Sequence, residues 1–562
     1  MNVPTHRYST ADAREMQLGS RTAVFLLSGL GILLALLYLG LYPFFLEGTT
    51  NADPVQLAWV AFFPWLSRVY QLTTWTQLPF IHTLSPSALF ALLLALAALL
   101  MLLAMLVGQS MVRARLTALY LRPAFWLILL FTLLFALIMV FAPISSTVMS
   151  HDLLLSSLYG RLVANYHLNP YVSASSTSIH DNLQIIVAQL SNNGTIPIPP
   201  FGPLWMDCSI LIAVLSRADL PKILLSFRVL GLVAHLINVV LIWNIFSSAK
   251  PAQRVIATLA YAWNPLVLLL SISFVHQEGV CVLFLLLAVL GLQRQLMFMS
   301  WIFALLAVLV NAYCLMLLPL FLRLLIRQTR FMSGSGRFFW LLGLLLVTVL
   351  VAVLAYIPYW VGWGLSGIIL SVGELFWPAH AINSILAAIL SLPLRLSPSA
   401  LWIFYPYHWA AIILLLAGCF LLLSLWLADT LDLVLLCNSW TLLLLVALEP
   451  VYWPEYSLLP LALALCSARR NVTQSAILLT LGALLAYYLW QQSYLWPGQG
   501  MVTIGVPFLL WGWGVFLRSA LEMTLGGRNR SGADEDSGPM RLIRAPWFSR
   551  PSWSSRPRRR IR

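Results

Sequence analysis

The chain has 562 residues, of which 61% are hydrophobic and only 9% are Asp, Glu, Lys or Arg. Soluble proteins carry about 25% charged residues, so this composition excludes a water-soluble globular enzyme. The mean hydropathy of +0.90 indicates that the lipid bilayer is the solvent of the chain. We interpret the net charge of +14 as the positive-inside bias of a multi-pass membrane protein, and not as a sign of nucleic-acid binding.

Long apolar stretches predict the membrane-spanning helices, because about 20 apolar residues are needed to cross roughly 30 Å of hydrocarbon. The stretch 298–322 is interrupted by Asn311 and Pro319, and we predict a re-entrant pair of half-helices there. The predicted fold class is an all-α polytopic membrane protein. Its twelve predicted crossings lie near residues 22–46, 86–108, 123–143, 223–246, 255–274, 278–293, 338–360, 401–427, 431–448, 455–468, 473–492 and 501–518.

Cationic loops predict the orientation of these helices, because cytoplasmic loops are rich in Arg and Lys. In this interpretation both termini are cytoplasmic, the protein lies in the plasma membrane, and 203–216 is a juxtamembrane helix along the interface. If 203–216 crosses the membrane instead, Lys250 and Arg254 lie on the outer side. The loops after 298–322 then stay cytoplasmic only if 298–322 is also a crossing. The cations that the first arrangement places on one side are Arg113, Arg115, Arg122, Lys250, Arg254, the arginines from Arg323 to Arg337, Arg469 and Arg470.

The chain divides into three predicted parts. Residues 1–21 form a polar, basic cytoplasmic segment, 22–524 form the transmembrane part, and 525–562 carry ten arginines against three acids. The last part has too few apolar residues to fold and is predicted to be a disordered cytoplasmic tail. The longest predicted outer loop, 144–202, has about 60 residues, more than a simple connection between helices needs. We therefore expect function to lie in this loop.

Half of the acidic residues are predicted to gather on the outer side of the membrane, and none of these lies in the middle of a predicted crossing. An ion-coupled transporter typically carries acids at the bilayer midplane, because its coupling site must be reached from both faces. The distribution therefore favours a one-sided enzyme over a pump. The outer acids are Glu47, Asp53, Asp152, Asp181, Asp207, Glu278, Glu374, Glu449 and Glu455.

The loop after the third predicted crossing contains Asp152 at the start of a predicted helix over 152–166. Asp152 and Tyr159 are expected to share one face of this helix, with Arg161 on the opposite face. An Asp and an Arg at a membrane surface often form only a solvated salt bridge. Alternatively, Asp152 is a general base and Arg161 is a cation that holds phosphate.

Other polar motifs follow in chain order. The segment 199–205, with sequence PPFGPLW, is typical of an aromatic anchor at the membrane interface. His276 and Glu278 come at the outer end of a predicted crossing, on the same side as Asp152. A His and a Glu between two predicted crossings are either solvated surface residues or part of a functional site.

These motifs, taken in order, resemble the GT-C superfamily of membrane glycosyltransferases, and within it the bacterial polyprenyl-phosphate-mannose-dependent mannosyltransferases. The sequence departs from the family pattern at Leu154, Leu155 and Ser156, which replace aromatic residues, and at Asn311, which replaces a lysine. The second acid of the pattern is Glu278 in place of Asp. The matching positions are Asp152, Gly160, Arg161, Asn169, Pro170, Tyr171, Gly202, Pro203, Leu204, Trp263, Asn264, Pro265, Leu266, His276, Glu278, Pro454, Glu455 and Tyr456.

The resemblance implies transfer of mannose, or of a related hexose or pentose, from a polyprenyl-phosphate donor to a hydroxyl of a glycan or lipid acceptor on the outer face. One base should suffice, because a phosphate is already a good leaving group. Asp152 is the expected base, Arg161 and Arg228 are expected to hold the donor phosphate, and His276 and Glu278 are expected to orient hydroxyls. The remaining expected substrate-binding residues are Tyr159, Asn169, Tyr171, Glu455 and Tyr456.

Metal dependence stays open in this interpretation, because Asp152, His276 and Glu278 could also ligate one divalent cation. The expected partners are the lipid-linked donor, the acceptor and membrane lipids, with no nucleic acid. A transporter or lipid flippase is the main alternative, and its polar path would consist of the uncharged Asn238, Asn264, Asn311 and Asn438. A polysaccharide polymerase or ligase, or a non-catalytic relative that binds lipid-linked sugar, are further alternatives.

Overall fold

The computed structural model describes most of the first 505 residues. The tail 525–562, most of the predicted crossing 501–518 and parts of the outer loops lie outside the described residues. The described residues are 10–46, 53–72, 86–113, 118–144, 151–173, 181–190, 196–246, 251–376, 378, 380–391, 402–467, 469–492 and 501–505.

The described residues form an all-α, multi-pass membrane protein. Seven helical segments within them are long and apolar enough to cross a membrane, and a helix pair bent by 48° makes an eighth if it forms one span. The other predicted crossings stay predictions. The seven segments belong to the helices Thr10–Gly40 with Tyr42–Leu46, Pro86–Arg113, Ala118–Val140, Leu220–Ile245, Gly334–Tyr356 with Ile357–Tyr359, Pro406–Leu427 and Leu431–Leu448.

Shorter helices connect and surround these segments. Within the described chain the only β-pairing is an isolated parallel bridge between Ile382 and Val451. The shorter helices are Pro54–Phe62, Pro64–Leu72, His151–Tyr166, Pro170–Ser173, Asn182–Leu190, Pro203–Leu215, Pro251–Ala262, Pro265–Leu268, Glu278–Gln293, Met297–Val310, Leu318–Gln328, Gly364–Phe376, Ile385–Ser391, Leu458–Cys466 and Arg470–Gln492.

The bent pair ends beside His276. Helix Pro251–Ala262 stops before Asn264, whose Oδ1 accepts a hydrogen bond from the amide of Leu266 and caps the next helix. Pro265 has no amide hydrogen to donate, so it fits the first turn of the new helix and not the interior of a longer one. A π-helical turn, Leu269–Ser273, then leads to His276, whose amide is bonded to the carbonyl of Leu270.

A second interruption lies where the sequence predicts it, in 298–322. Helix Met297–Val310 ends at Asn311, which has an extended backbone and accepts a hydrogen bond from the amide of Tyr313. A 3₁₀ helix, Ala312–Leu317, follows, and helix Leu318–Gln328 resumes with Pro319 in its first turn. At the break, the backbone around Asn311 leaves the α-helical hydrogen-bond pattern. Whether the segment re-enters or crosses the membrane stays a prediction.

Two glycines set the position of the outer-loop helix that carries Asp152. A Cβ atom at Gly160 would lie 2.4 Å from the carbonyl oxygen of Ser209, so helices His151–Tyr166 and Pro203–Leu215 pack with their backbones in contact. A Cβ atom at Gly202 would lie 2.1 Å from the carbonyl oxygen of Leu309. Only glycine permits such approaches. The two contacts connect the Asp152 helix to the chain break at Asn311.

Candidate functional site

Residues from six separate segments, five of which contribute polar side chains, line a cavity of about 460 Å³. Cavities of several hundred Å³ are typical of small-molecule sites. The helix His151–Tyr166 contributes Asp152, helix Gly364–Phe376 contributes Ser371 and Leu375, and the other segments lie at helix ends or breaks. The described lining residues are Asp152, Leu155, Pro197, Ile198, Pro199, Pro200, Phe201, His276, Gln277, Glu278, Asn311, Tyr313, Ser371, Leu375, Pro378, Val451, Trp453, Glu455 and Tyr456.

Asp152 and His276 form the centre of this pocket. Nδ1 of His276 lies 3.0 Å from Oδ2 of Asp152 and 3.9 Å from Oε1 of Glu455. The side chain of Asp152 is 31% exposed and that of His276 is 3% exposed, so the carboxylate faces the cavity from a half-buried position. Asp152 lies in the first turn of its helix, where the helix dipole stabilises a negative charge.

The charge of His276 is set by opposing effects. Burial alone would lower the pKa of the imidazole, but the carboxylates of Glu455, Asp152 and Glu278 outweigh burial and raise the pKa to about 9. In this arrangement the imidazole therefore holds a proton more tightly than a free histidine does, and a metal ion at Nδ1 would have to displace that proton.

Glu278 and Tyr313 form the opposite wall around the chain break. Nδ2 of Asn311 donates a hydrogen bond of 2.9 Å to Oε1 of Glu278, and the hydroxyl of Tyr313 donates one of 2.6 Å to Oε2 of Glu449. Oε2 of Glu278 is buried and accepts no hydrogen bond from another described residue.

The structure brings five of the predicted site residues together in the pocket: Asp152, His276, Glu278, Glu455 and Tyr456. They come from distant parts of the sequence and meet at one end of the apolar helices that precede them.

Three of the predicted substrate-binding residues are not among the described lining residues, but they hold the walls of the pocket in place. The hydroxyl of Tyr159 donates to the carbonyl of Pro197, and the hydroxyl of Tyr171 donates to that of Phe201. Nδ2 of Asn169 donates to the carbonyls of Tyr359 and Val361. These bonds hold the outer-loop helices against the segments that form the pocket walls.

Two predicted cations lie elsewhere. Arg161 faces away from Asp152, as its helical spacing predicts, and forms a 2.9 Å ion pair with Asp181. Arg228 is fully buried under the ring of Trp59 and donates hydrogen bonds to the carbonyls of Val140, Ala142 and Ser273. Neither arginine is among the described lining residues.

Sequence reasoning missed Tyr313, Trp453, Ser371 and Leu375, which also line the pocket. Only Tyr313 had a usable signal, because it follows the predicted break at Asn311 by two residues. Ser371 and Leu375 lie on helix Gly364–Phe376, whose amino-acid pattern alone indicates an apolar helix at a membrane.

Comparison of the chain with models of protein families and with curated proteins gives no match. The identity of the site therefore depends on its own geometry and chemistry.

The same residues have the spacing of a metal site. One ligand atom from each of Asp152, His276 and Glu455 lies within 4.8 Å of the other two. The sequence suggests Glu278 as the third ligand, whereas the structure places Glu455 there. Oε1 of Glu278 accepts a hydrogen bond from Asn311 instead.

Proposed function

We propose that the protein is a GT-C type membrane glycosyltransferase. In this proposal it moves a sugar, mannose or a related hexose or pentose, from a polyprenyl-phosphate donor to an acceptor hydroxyl. The observation that carries the proposal is the meeting of Asp152, His276, Glu278, Glu455 and Tyr456 in one cavity. The order of these residues along the chain is that of the family pattern which the sequence resembles.

In this proposal Asp152 is the general base. Its carboxylate reaches the cavity, and in the proposed reaction it takes the proton of the acceptor hydroxyl. The acceptor oxygen then forms a bond to the anomeric carbon of the sugar while the bond from that carbon to the phosphate oxygen breaks. Polyprenyl phosphate leaves with the electron pair of that bond. A single displacement of this kind inverts the anomeric configuration.

The rest of the pocket suits a sugar. Oε2 of Glu278 offers an acceptor for a sugar hydroxyl. The hydroxyl hydrogen of Tyr313 is used by Glu449, so its oxygen can also accept a hydrogen bond from a ligand. The lining rings of Phe201, Trp453 and Tyr456 offer apolar faces for the carbon skeleton of the ring.

The hydrogen bonds of the buried asparagines favour an enzyme over a transporter. The four asparagines of the hypothetical polar path are mostly used in helix packing. Asn238 donates to Tyr261 and to the carbonyl of Gly279, Asn264 donates to Thr480, and Asn311 donates to Glu278. Among these four, only Asn438 lacks a hydrogen-bond partner within the described chain.

In the proposed topology the protein crosses the plasma membrane twelve times, both termini are cytoplasmic, and the pocket opens on the outer face. The helix Pro203–Leu215 lies along the interface in this arrangement. A donor lipid can then stay in the bilayer while its phosphosugar reaches the pocket. The acceptor, a glycan or a lipid, approaches from the outer face.

The test is a donor screen with the purified full chain in lipid nanodiscs. A panel of polyprenyl-phosphate sugars is supplied with candidate glycan and lipid acceptors, and the release of polyprenyl phosphate is measured. We expect release with at least one donor, dependent on acceptor. Release from none of the donors, with the protein folded, would contradict the proposal.

A further inference from the structure

The balance of charge in the pocket is unusual for a site that would receive a phosphate. Asp152, Glu278 and Glu455 contribute three carboxylates and His276 contributes one imidazole. No lysine or arginine is among the described residues that line the cavity. The described lining thus offers an incoming phosphate three acidic side chains and one imidazole, without the guanidinium or ammonium groups that usually bind phosphate.

The nearby arginines do not correct this balance. Arg161 is paired with Asp181, whose side chain is fully buried, and the guanidinium of Arg228 is surrounded by backbone carbonyls and the ring of Trp59. Either arginine would have to abandon these partners to reach a ligand in the pocket. The missing positive charge therefore has to come from outside the described lining.

Three side chains converge on one point of the cavity. The ligand atoms of Asp152, His276 and Glu455 lie within 4.8 Å of one another, a separation that fits around one ion bound at about 2.0–2.5 Å. Nδ1 of His276 is buried and lies 3.0 Å from Oδ2 of Asp152 and 3.9 Å from Oε1 of Glu455, so it faces both acids.

A second observation points to a ligand in the same cavity. Glu278 is 2% exposed, and its Oε2 accepts no hydrogen bond from another described residue. A buried carboxylate oxygen without a partner is costly, because it has lost water without gaining a donor. A cation in the pocket would supply the opposite charge that this oxygen lacks.

We propose that Asp152, His276 and Glu455 bind one divalent cation in this pocket, with Glu278 facing it. One imidazole nitrogen with two or three carboxylate oxygens is a donor set suited to Mn²⁺ and to ions of similar size. The role of the ion rests on the proposed function: it offsets the carboxylates and gives the donor phosphate a positive partner. Asp152 has two carboxylate oxygens, so one can bind the ion while the other accepts a proton.

Direct binding of Mn²⁺ tests this proposal without an activity assay. The full chain, with any polyhistidine tag removed, is placed in nanodiscs of neutral phosphatidylcholine so that the lipid does not bind the ion. It is treated with chelator, desalted and titrated with Mn²⁺, and free Mn²⁺ is followed by electron paramagnetic resonance. We expect one bound Mn²⁺ per chain, and an increase of the unfolding temperature when the ion is added.

Two variants and one control locate the ion. We expect Asp152→Asn and Glu455→Gln each to weaken Mn²⁺ binding at least about tenfold. Asp219→Asn makes the same chemical change at a more exposed carboxylate, which pairs with Lys222 and does not line the cavity. We expect this control to bind Mn²⁺ like the parent protein. The elution profile of each variant in size-exclusion chromatography checks that it is folded. The increase in unfolding temperature of the parent with Mn²⁺ tests the proposal even if a variant does not fold.

Absence of stoichiometric Mn²⁺ binding by the parent overturns the proposal, and so does equal binding by the parent and both site variants. These outcomes differ from a failure of the proposed function. If the protein transfers sugar after chelation and binds no Mn²⁺, the metal site is wrong and the transferase stands. If it binds Mn²⁺ at these residues but uses no lipid-linked sugar, the metal site stands and the transferase is wrong.

Discussion

Asn311 and Glu278 are joined across the wall of the pocket: Nδ2 of Asn311 donates a hydrogen bond of 2.9 Å to Oε1 of Glu278. Both side chains are buried, and Asn311 also caps the following 3₁₀ helix through its Oδ1. The amide therefore connects the chain break to the start of helix Glu278–Gln293. A carboxylate at position 311 would keep the cap but place two acidic groups side by side.

A reciprocal pair of substitutions tests this relationship. We expect Asn311→Asp to lower stability by about 1–3 kcal/mol, because it replaces a buried hydrogen bond by repulsion. Glu278→Gln alone should have a smaller effect, since its amide oxygen can still accept from Asn311. The double variant should regain most of the loss, because the new amide at position 278 can then donate to the new carboxylate at position 311. Unfolding temperatures of the four proteins measure the coupling, and additive effects would refute it.

Asp152→Asn tests the proposed base. The substitution keeps the shape of the side chain and removes its ability to take a proton, so we expect transfer to fall at least about 100-fold. The unfolding temperature should stay close to that of the parent, because the side chain is partly exposed. Asp219→Asn serves as the matched control and should keep full activity. Transfer by the Asp152→Asn variant at the parental rate would remove Asp152 from the mechanism.

The sequence is informative where hydrophobic stretches define helix ends. The predicted helix over 152–166 is present as His151–Tyr166, and the break predicted in 298–322 begins at Asn311. His276 and Glu278 lie just beyond the end of an apolar stretch, which is where a water-facing site can form in a membrane protein. These features follow from local pattern alone and need no knowledge of which helices are neighbours.

The partners of the two arginines could not be predicted in this way. Arg161 pairs with Asp181 because helix Asn182–Leu190, which Asp181 precedes, packs against helix His151–Tyr166, and nothing in the spacing specifies that contact. Arg228 within an apolar helix suggests a ligand site, yet its acceptors are backbone carbonyls from two other segments. Every residue type has a carbonyl, so such partners leave no sequence signal.

Glu449 should make stability depend on pH. Burial raises the pKa of this carboxyl from 4.5 to about 8, while the hydrogen bond from Tyr313 opposes the increase. Between these values the folded protein holds a proton that the unfolded chain has lost, so stability is full below pH 4.5 and decreases as pH rises through about 8. The decrease should be at most about 1.4 kcal/mol per pH unit.

Glu449→Gln isolates this effect from other titrating groups. We expect the unfolding temperature of the parent to fall relative to that of the Gln variant as pH is raised from about 5 to 8. Tyr313→Phe removes the bond that lowers the pKa of Glu449, so the decrease should still begin near pH 4.5 but extend to higher pH. A constant difference between parent and Glu449→Gln over this range would show that Glu449 does not hold a proton in the folded protein.

Arg228→Lys separates a structural role from the phosphate-binding role that the sequence suggests. The guanidinium donates to three carbonyls from two segments and lies 5.2 Å from the centre of the Trp59 ring, and a lysine ammonium has no planar group to match this arrangement. We expect a loss of about 1–3 kcal/mol in stability, because carbonyls are left without donors. The KM for the lipid donor should stay unchanged for the folded fraction. Arg217→Lys, at an exposed position of the preceding turn, is the control and should change neither quantity. An unchanged unfolding temperature together with a raised donor KM would instead assign Arg228 to the phosphate, because only a ligand contact would then have been lost.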